Sequence, residues 1–298
     1  MLRIALFLGT NIAILALVSI VFRVLGLEQY LASQGVQGDL TSLLIFCAIF
    51  GFAGSFISLL LSKTMAKMGT GTRIITQPAN GEERWLVETV ADLARKAGIG
   101  MPEVGIFPAQ QSNAFATGWN KNSALVAVSE GLLQRFDREE ARAVLAHEIG
   151  HVANGDMVTL SLVQGVLNTF VMFFARIIGS IIDKAVFKNE RGNGIGYFMI
   201  VMVLQVVLGI FASMIVMWFS RWREFRADAA GARLAGRQGM IRALQKLQAE
   251  TRAHVPNQMP ETLTAFGISS GWKETASKLF MTHPPLEDRI AALQNAKL

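Results

Sequence analysis

His147-Glu148-Ile149-Gly150-His151 holds the residues with the clearest capacity for chemistry. On an α-helix, positions i and i+4 share a face one turn apart. Two imidazoles can then meet one metal ion, with Glu148 beside the first and able to work on a water bound to that metal. The pattern is that of metal-assisted hydrolysis, in which zinc lowers the pKa of bound water and a carboxylate serves as general base. Only four histidines occur in 298 residues, and two of them fall at this spacing with a glutamate between. Incidental histidines on a partly buried helix are the plainer alternative.

The flanks predict a helix that holds the five residues in place. Asp137 is an N-cap candidate with Glu140 three residues on, as in a capping box. Residues 138–152 are rich in helix formers, and Asn154-Gly155 provides a stop. Gly150 costs about 1 kcal/mol in a helix interior relative to alanine, which implies close approach of another segment.

Composition places this helix in a membrane protein. The hydrophobic fraction is 52%, charged residues are 17%, and mean hydropathy is +0.39. The excess lies in four runs, at about 4–22, 40–61, 157–175 and 195–219. Arg3 and Arg23 flank the first, which is long for a cleaved leader and lacks a small-x-small cleavage site, so it reads as an uncleaved anchor. Gly51 and Gly54 in the second suggest close helix packing. Gln164 and Asn168 make the third the least typical span. The segment from Asp183 to Asn193 reads as a charged turn between the third and fourth.

The resulting organisation is a transmembrane hairpin (1–62), a soluble block carrying the histidines (63–156), a second hairpin (157–219) and a second soluble block (220–298). Net charge is +6 and the pI near 9.7. No basic cluster interleaved with aromatics accompanies that charge, so a lipid bilayer is the expected partner and nucleic acid is not. Lys63, Lys67 and Arg73 follow the second span, and Arg221, Arg223 and Arg226 follow the fourth. By the positive-inside rule both soluble blocks and both termini face the cytoplasm, with Lys184, Lys188 and Arg191 arguing mildly the other way. The lone cysteine, Cys47, excludes an internal disulfide and a cysteine-based zinc site.

Within the first soluble block, 84–97 reads as an amphipathic helix through Trp85, Leu86, Thr89, Val90 and Leu93. Residues 104–107 and 125–128 read as strands. Between them Asn113, Ala114, Phe115 and Ala116, with Thr117 and Gly118, form an extended edge able to pair with a substrate backbone, or an ordinary loop. The fold class is α+β: a mainly α-helical, zincin-like catalytic domain with a small β-sheet, plus four transmembrane helices.

A catalytic zinc site needs a third protein ligand and an open position. Glu224 is the candidate, with Asp228 on the same helical face to accept a hydrogen bond from a ligand imidazole. Taken alone, an exposed acidic pair bridged to Arg223 or Arg226 is the plainer reading. Two apolar runs separate His151 from Glu224, however. An even number of crossings returns the chain to the side it left, near the bilayer surface.

The sequence resembles the HtpX group of membrane-bound zinc metalloproteases over nearly its whole length. The likeness runs through the opening residues 1–7, Asn113 to Gly118, His147 to Asp156, Met217 to Arg221, Glu224 to Asp228 and Phe280 to Leu286. It implies a multi-pass inner-membrane endopeptidase with a cytoplasmic active site, acting on misfolded or damaged membrane proteins in heat stress. His147, His151 and Glu224 would hold one zinc ion per chain, with Glu148 as the base. Related families, prenyl-protein proteases among them, place a His-Pro near the metal, which gives His283 either a part in stabilising the oxyanion or a structural one. Arg289 is expected to pair with an acidic neighbour in a structural role, and His254 to lie on the surface. A scaffold with a closed, structural zinc site and a narrow prenyl-processing protease are the rival readings.

Overall fold

The computed structural model describes residues 39–187, 194–252 and 283–296, with isolated positions at 20, 24 and 26. Of the expected features, the first apolar run, His254 and residues 280–282 lie outside the described residues, Ile20 apart.

Helix α1 spans Leu40–Thr70, strand β1 Arg73–Ile74, helix α2 Gly81–Ala97 and strand β2 Glu103–Phe107. Strands β3 (Ala114–Gly118) and β4 (Ala124–Ser129) follow, then helices α3 (Glu130–Arg135) and α4 (Arg138–Asn154). The chain continues as α5 (Asp156–Phe187), α6 (Ile195–Ala235), α7 (Arg237–Arg252) and α8 (Leu286–Asn295). Among the described residues three helices, α1, α5 and α6, are long and apolar enough to cross a membrane.

By packing, the chain divides into one unit of residues 1–57 with 161–216 and another of residues 58–160 with 217–298. In the first unit Leu40, Leu44 and Cys47 pack with Phe173 and Ile177. At Gly51 an added Cβ would stand 2.7 Å from Thr169 Oγ1, so that glycine does admit α5. Among the described residues, a Cβ on Gly54 would meet nothing within 4 Å, so the expected close packing is seen at Gly51 and not at Gly54. The polar residues of the third run have partners: Gln164 donates to Asn168 at 2.8 Å, and Asn168 reaches Ser55 Oγ at 3.4 Å. Ser161 donates to the Ser55 carbonyl at 2.8 Å. Satisfied in this way, they are tolerable in an apolar helix.

Each of these helices outruns its apolar run, because hydropathy marks lipid-compatible residues and not helix ends. Helix α5 continues through Asp183 to Phe187, so the expected charged turn does not begin at Asp183, and its remaining residues, 188–193, lie outside the described residues.

The second unit is built on a four-stranded sheet in the order β1-β2-β4-β3. Strands β2 and β4 run parallel, with Val104 opposite Val126; β3 runs antiparallel to β4, with Phe115 opposite Ala127. All of β4 is buried, as its unbroken apolar run requires of an inner strand. Asn113 to Gly118 forms a sheet edge, with β3 outermost. Helix α2 starts at Gly81, three residues before the expected start, because Asn80 caps it by accepting from the Glu83 backbone N–H. Leu86, Val90 and Leu93 then face a core shared with Val126, Leu145, Ile149, Leu244 and Leu247.

Candidate active site

Helix α4 carries the histidines, and its ends are fixed locally. Asp137 accepts from the Glu140 backbone N–H at 2.8 Å while Glu140 Oε2 accepts from the Asp137 N–H at 3.0 Å. This is the expected capping box. Gly155, at φ +67°, closes the helix and donates back to His151 O and Val152 O. Val144, Leu145, Ile149 and Val152 are buried around it.

Glycine sets the distance between α4 and α6. A Cβ on Gly150 would lie 3.0 Å from Ala230 Cβ and 3.2 Å from the Ala227 carbonyl. One on Gly231 would lie 3.2 Å from the His147 backbone nitrogen. The two helices therefore meet backbone to backbone, and Glu224 and Asp228 on α6 arrive opposite the histidines.

His147, His151 and Glu224 converge as a group able to hold a metal ion. The Nε2 atoms of His147 and His151 stand 3.1 Å apart. Glu224 Oε1 lies 3.2 Å from His151 Nε2, and Oε2 lies 3.6 Å from His147 Nε2. Four-coordinate zinc with bonds of 2.0–2.1 Å separates its ligand atoms by about 3.3 Å. The far side of each ring is taken by a carboxylate: His147 Nδ1 lies 2.9 Å from Asp228 Oδ1, and His151 Nδ1 lies 2.7 Å from Asp156 Oδ2. A carboxylate at each Nδ1 favours the tautomer with the proton there, which turns both Nε2 atoms towards one spot.

The electrostatics match a cation there. Burial works against charge on His151, yet Glu224 first and then Asp156 raise its pKa to about 10. Burial likewise opposes charge on His147, and Asp228 and Glu224 outweigh it, so the net shift is upward. The pocket thus favours positive charge at these nitrogens, and a divalent ion supplies it. Among the described residues Glu148 Oε1 is buried without a hydrogen bond, as an open base position would be, and Glu224 Oε2 lies within ion-pair distance of Arg289. Burial, ahead of the opposing pull of the two histidines, raises the Glu148 pKa, the direction that suits a general base.

His283 reaches the same pocket from before α8. Its Nδ1 stands 2.7 Å from Glu224 Oε2, but out of line for a hydrogen bond, and neither ring nitrogen has such a bond. Arg289 on α8 is fully buried and grips Asp228, Nε to Oδ2 at 2.8 Å and Nη2 to Oδ1 at 2.6 Å. Its Nη1 lies 3.2 Å from Glu224 Oε2. Burial opposes that charge, but Asp228 and then Glu224 raise the guanidinium pKa further. Asp156 was not foreseen as a partner of His151. Arg223, offered as a salt-bridge partner of Glu224, instead donates to the Asp156 carbonyl at 2.9 Å and to Ser220 Oγ at 3.1 Å.

Asn113, Ala114, Phe115 and Ala116 lie buried at the start of β3, and β3 packs against α4. The segment is anchored by Ser112, whose Oγ donates to Glu250 Oε1 at 2.6 Å, and by the Asn113 N–H, which donates to Ser129 Oγ at 2.9 Å.

The sequence pattern of peptidase family M48 matches residues 80–297, which hold the capped helix, both histidines, Glu224 and Arg289. The chain belongs to peptidase family M48. Within the family it is similar to proteins named Protease HtpX. That of Hahella chejuensis (strain KCTC 2396) is 66% identical over 293 residues, covering 98% of this chain and 99% of the relative. Those of Ectopseudomonas mendocina (strain ymp) and Pseudomonas fluorescens (strain Pf0-1) are 66% and 63% identical over 294 residues, each covering 99% of both chains. The crystal structure of S. mikatae Ste24p superposes with a TM-score of 0.60 at 20% identity, covering 97% of this chain and 67% of that one. At that identity the likeness establishes a shared fold. Membership of the M48 HtpX group makes the chain a membrane-associated metallopeptidase, and its His147, His151 and Glu224 cluster is able to bind one metal ion.

Proposed function

We propose that the chain holds one zinc ion on His147, His151 and Glu224 and hydrolyses peptide bonds of misfolded or damaged membrane proteins. Its catalytic unit and termini would face the cytoplasm from a bacterial inner membrane, in the stress-response role that goes with the name of its relatives. The observation that carries this reading is the convergence of two imidazole Nε2 atoms and the Glu224 carboxylate in one buried pocket. The donor set suits zinc, an N/O site with borderline softness.

When bound, the ion lowers the pKa of water and polarises the scissile carbonyl. The chain's own residues do the rest. Glu148 takes a proton from the attacking water and returns it to the leaving amine. Asp228 and Asp156 hold the Nδ1 protons and so keep each Nε2 free to ligate. The buried His283 ring, with both nitrogens free of hydrogen bonds, donates to the developing oxyanion. Asn113 to Ala116 present the sheet edge to the substrate backbone. Lys63, Lys67 and Arg73, with Arg221, Arg223 and Arg226, support the orientation.

The test is metal content and casein cleavage for wild type and Glu148→Gln in detergent. The variant should keep its zinc and lose activity by about 100-fold or more. Cleavage by the variant at the wild-type rate would refute the role of Glu148.

A further inference from the structure

Where it meets α4, helix α6 carries an exposed aromatic stripe on its other side. Trp218 is 64% exposed, Trp222 53% and Phe225 36%. Positions 218, 222 and 225 fall one turn apart on one face. The opposite face holds Arg223, Glu224, Ala227 and Asp228, all buried. The exposed Arg226 lays its guanidinium 5.1 Å from the Trp222 ring centre. Trp218 lies at the end of the apolar run 195–219, so the stripe continues a lipid-compatible surface.

Paired tryptophans beside an exposed arginine suit the headgroup layer of a bilayer, where an indole has an apolar body to bury and a polar N–H to keep wet. A fully aqueous stripe of this kind would be costly, and charged residues from Arg221 onward are interleaved with it, as at the edge of a bilayer. From Phe219 to Glu224 the helix rises about 7.5 Å. The headgroup layer on each side of the hydrocarbon is about 5–7 Å thick. A stripe seated in that layer fixes the depth of the carboxylate on the other side of the same helix turn.

We propose that Trp218, Trp222 and Phe225 sit in the bilayer interface and hold the Glu224 site at headgroup depth, so that its substrates are peptide segments next to the membrane surface. The depth stands without any activity; the substrate class rests on the peptidase reading above. The favoured substrate is then a juxtamembrane stretch of a membrane-anchored chain, and the discriminating quantity is distance from the bilayer.

Two measurements test this. In a background where the buried Cys47 is replaced by Ala, a nitroxide on Phe225→Cys is compared with one on Arg233→Cys, an exposed position further along α6. The vesicles are phosphatidylethanolamine with phosphatidylglycerol. The label at 225 should meet oxygen more readily than a nickel chelate, and the label at 233 the reverse. Equal access of the chelate to both positions would overturn the proposal. Exclusion of both reagents at 225 would overturn it too, showing the stripe covered by protein.

The second measurement uses a membrane-anchored substrate whose cleavable segment is moved outward on a stiff spacer. Cleavage should fall by about tenfold or more once the segment no longer reaches the surface. The Trp218→Ser/Trp222→Ser double variant should lose that distance dependence while cutting a short soluble peptide at the wild-type rate. Cleavage independent of distance in wild type would overturn the substrate class. No cleavage at any distance would count against the peptidase reading and leave the label result to decide the depth.

Discussion

Arg289 holds Asp228 through two hydrogen bonds, 2.8 Å and 2.6 Å long, with both side chains buried. The pair also spans the distance between α8 and the Asp228 that orients His147. Removing one member leaves the other charge buried and alone, which costs about 3–5 kcal/mol. Arg289→Met should therefore lower the unfolding free energy by about that amount and release metal. Arg289→Lys keeps the charge but not the fork, and should fall between the two. Thermal unfolding with metal analysis checks both; a methionine variant as stable as wild type would remove Arg289 from this role.

Asp156 performs for His151 what Asp228 does for His147, at 2.7 Å from Nδ1. Asp156→Asn should weaken metal binding by about 10–100-fold. The fold should survive, since Arg223 binds the backbone carbonyl and not the carboxylate. Titration against a chelator of known affinity measures the change. Unchanged affinity would mean that His151 keeps its tautomer by other means.

These two partners also show where the sequence stops being readable. The pairing of Asp228 with His147 could be anticipated, because Glu224 and Asp228 are one turn apart on a helix. So could the capped helix around the histidines, since caps and spacing are local. Asp156 could not. It reaches His151 only because Gly155 turns the chain in a left-handed conformation, which folds the next side chain back beneath the ring. Nor does spacing announce that Arg289, far along the chain, closes onto Asp228. The two-residue β1 was invisible for lack of any period, and its pairing with β2 depends on tertiary contacts. The apolar runs coincide with the starts of α1 and α6, at Leu40 and Ile195, but not with the far ends of α1, α5 and α6, which lie beyond them.

Gly150 sets how closely the ligand-bearing helices approach. Gly150→Val should push against Ala230 and the Ala227 carbonyl, at a cost of about 1–3 kcal/mol, and carry Glu224 away from the histidines. Metal content should fall more than secondary structure does. Circular dichroism alongside metal analysis separates the two; full metal occupancy in the variant would show that the contact is dispensable.

Glu83 gives the second unit an acid limit. Its carboxylate is held below the ordinary range by the Ala79 backbone N–H first and by Arg73 next, against the effect of burial. A depressed folded-state pKa stabilises above the unfolded value of about 4.3 and loses that contribution as pH falls through the folded one. Unfolding temperature should thus decline on acidification from about pH 5 to pH 3, with a shallower decline in Glu83→Gln. Identical pH profiles for the two proteins would exclude Glu83 as a source.

The most direct test is X-ray absorption at the zinc edge of the purified protein. The arrangement of His147, His151 and Glu224 predicts two imidazole nitrogens and a carboxylate oxygen at about 2.0–2.2 Å. Glu224→Gln should lose the ion or alter that shell. A sulfur shell, a site without imidazole scattering, or a spectrum unchanged by Glu224→Gln would contradict the account.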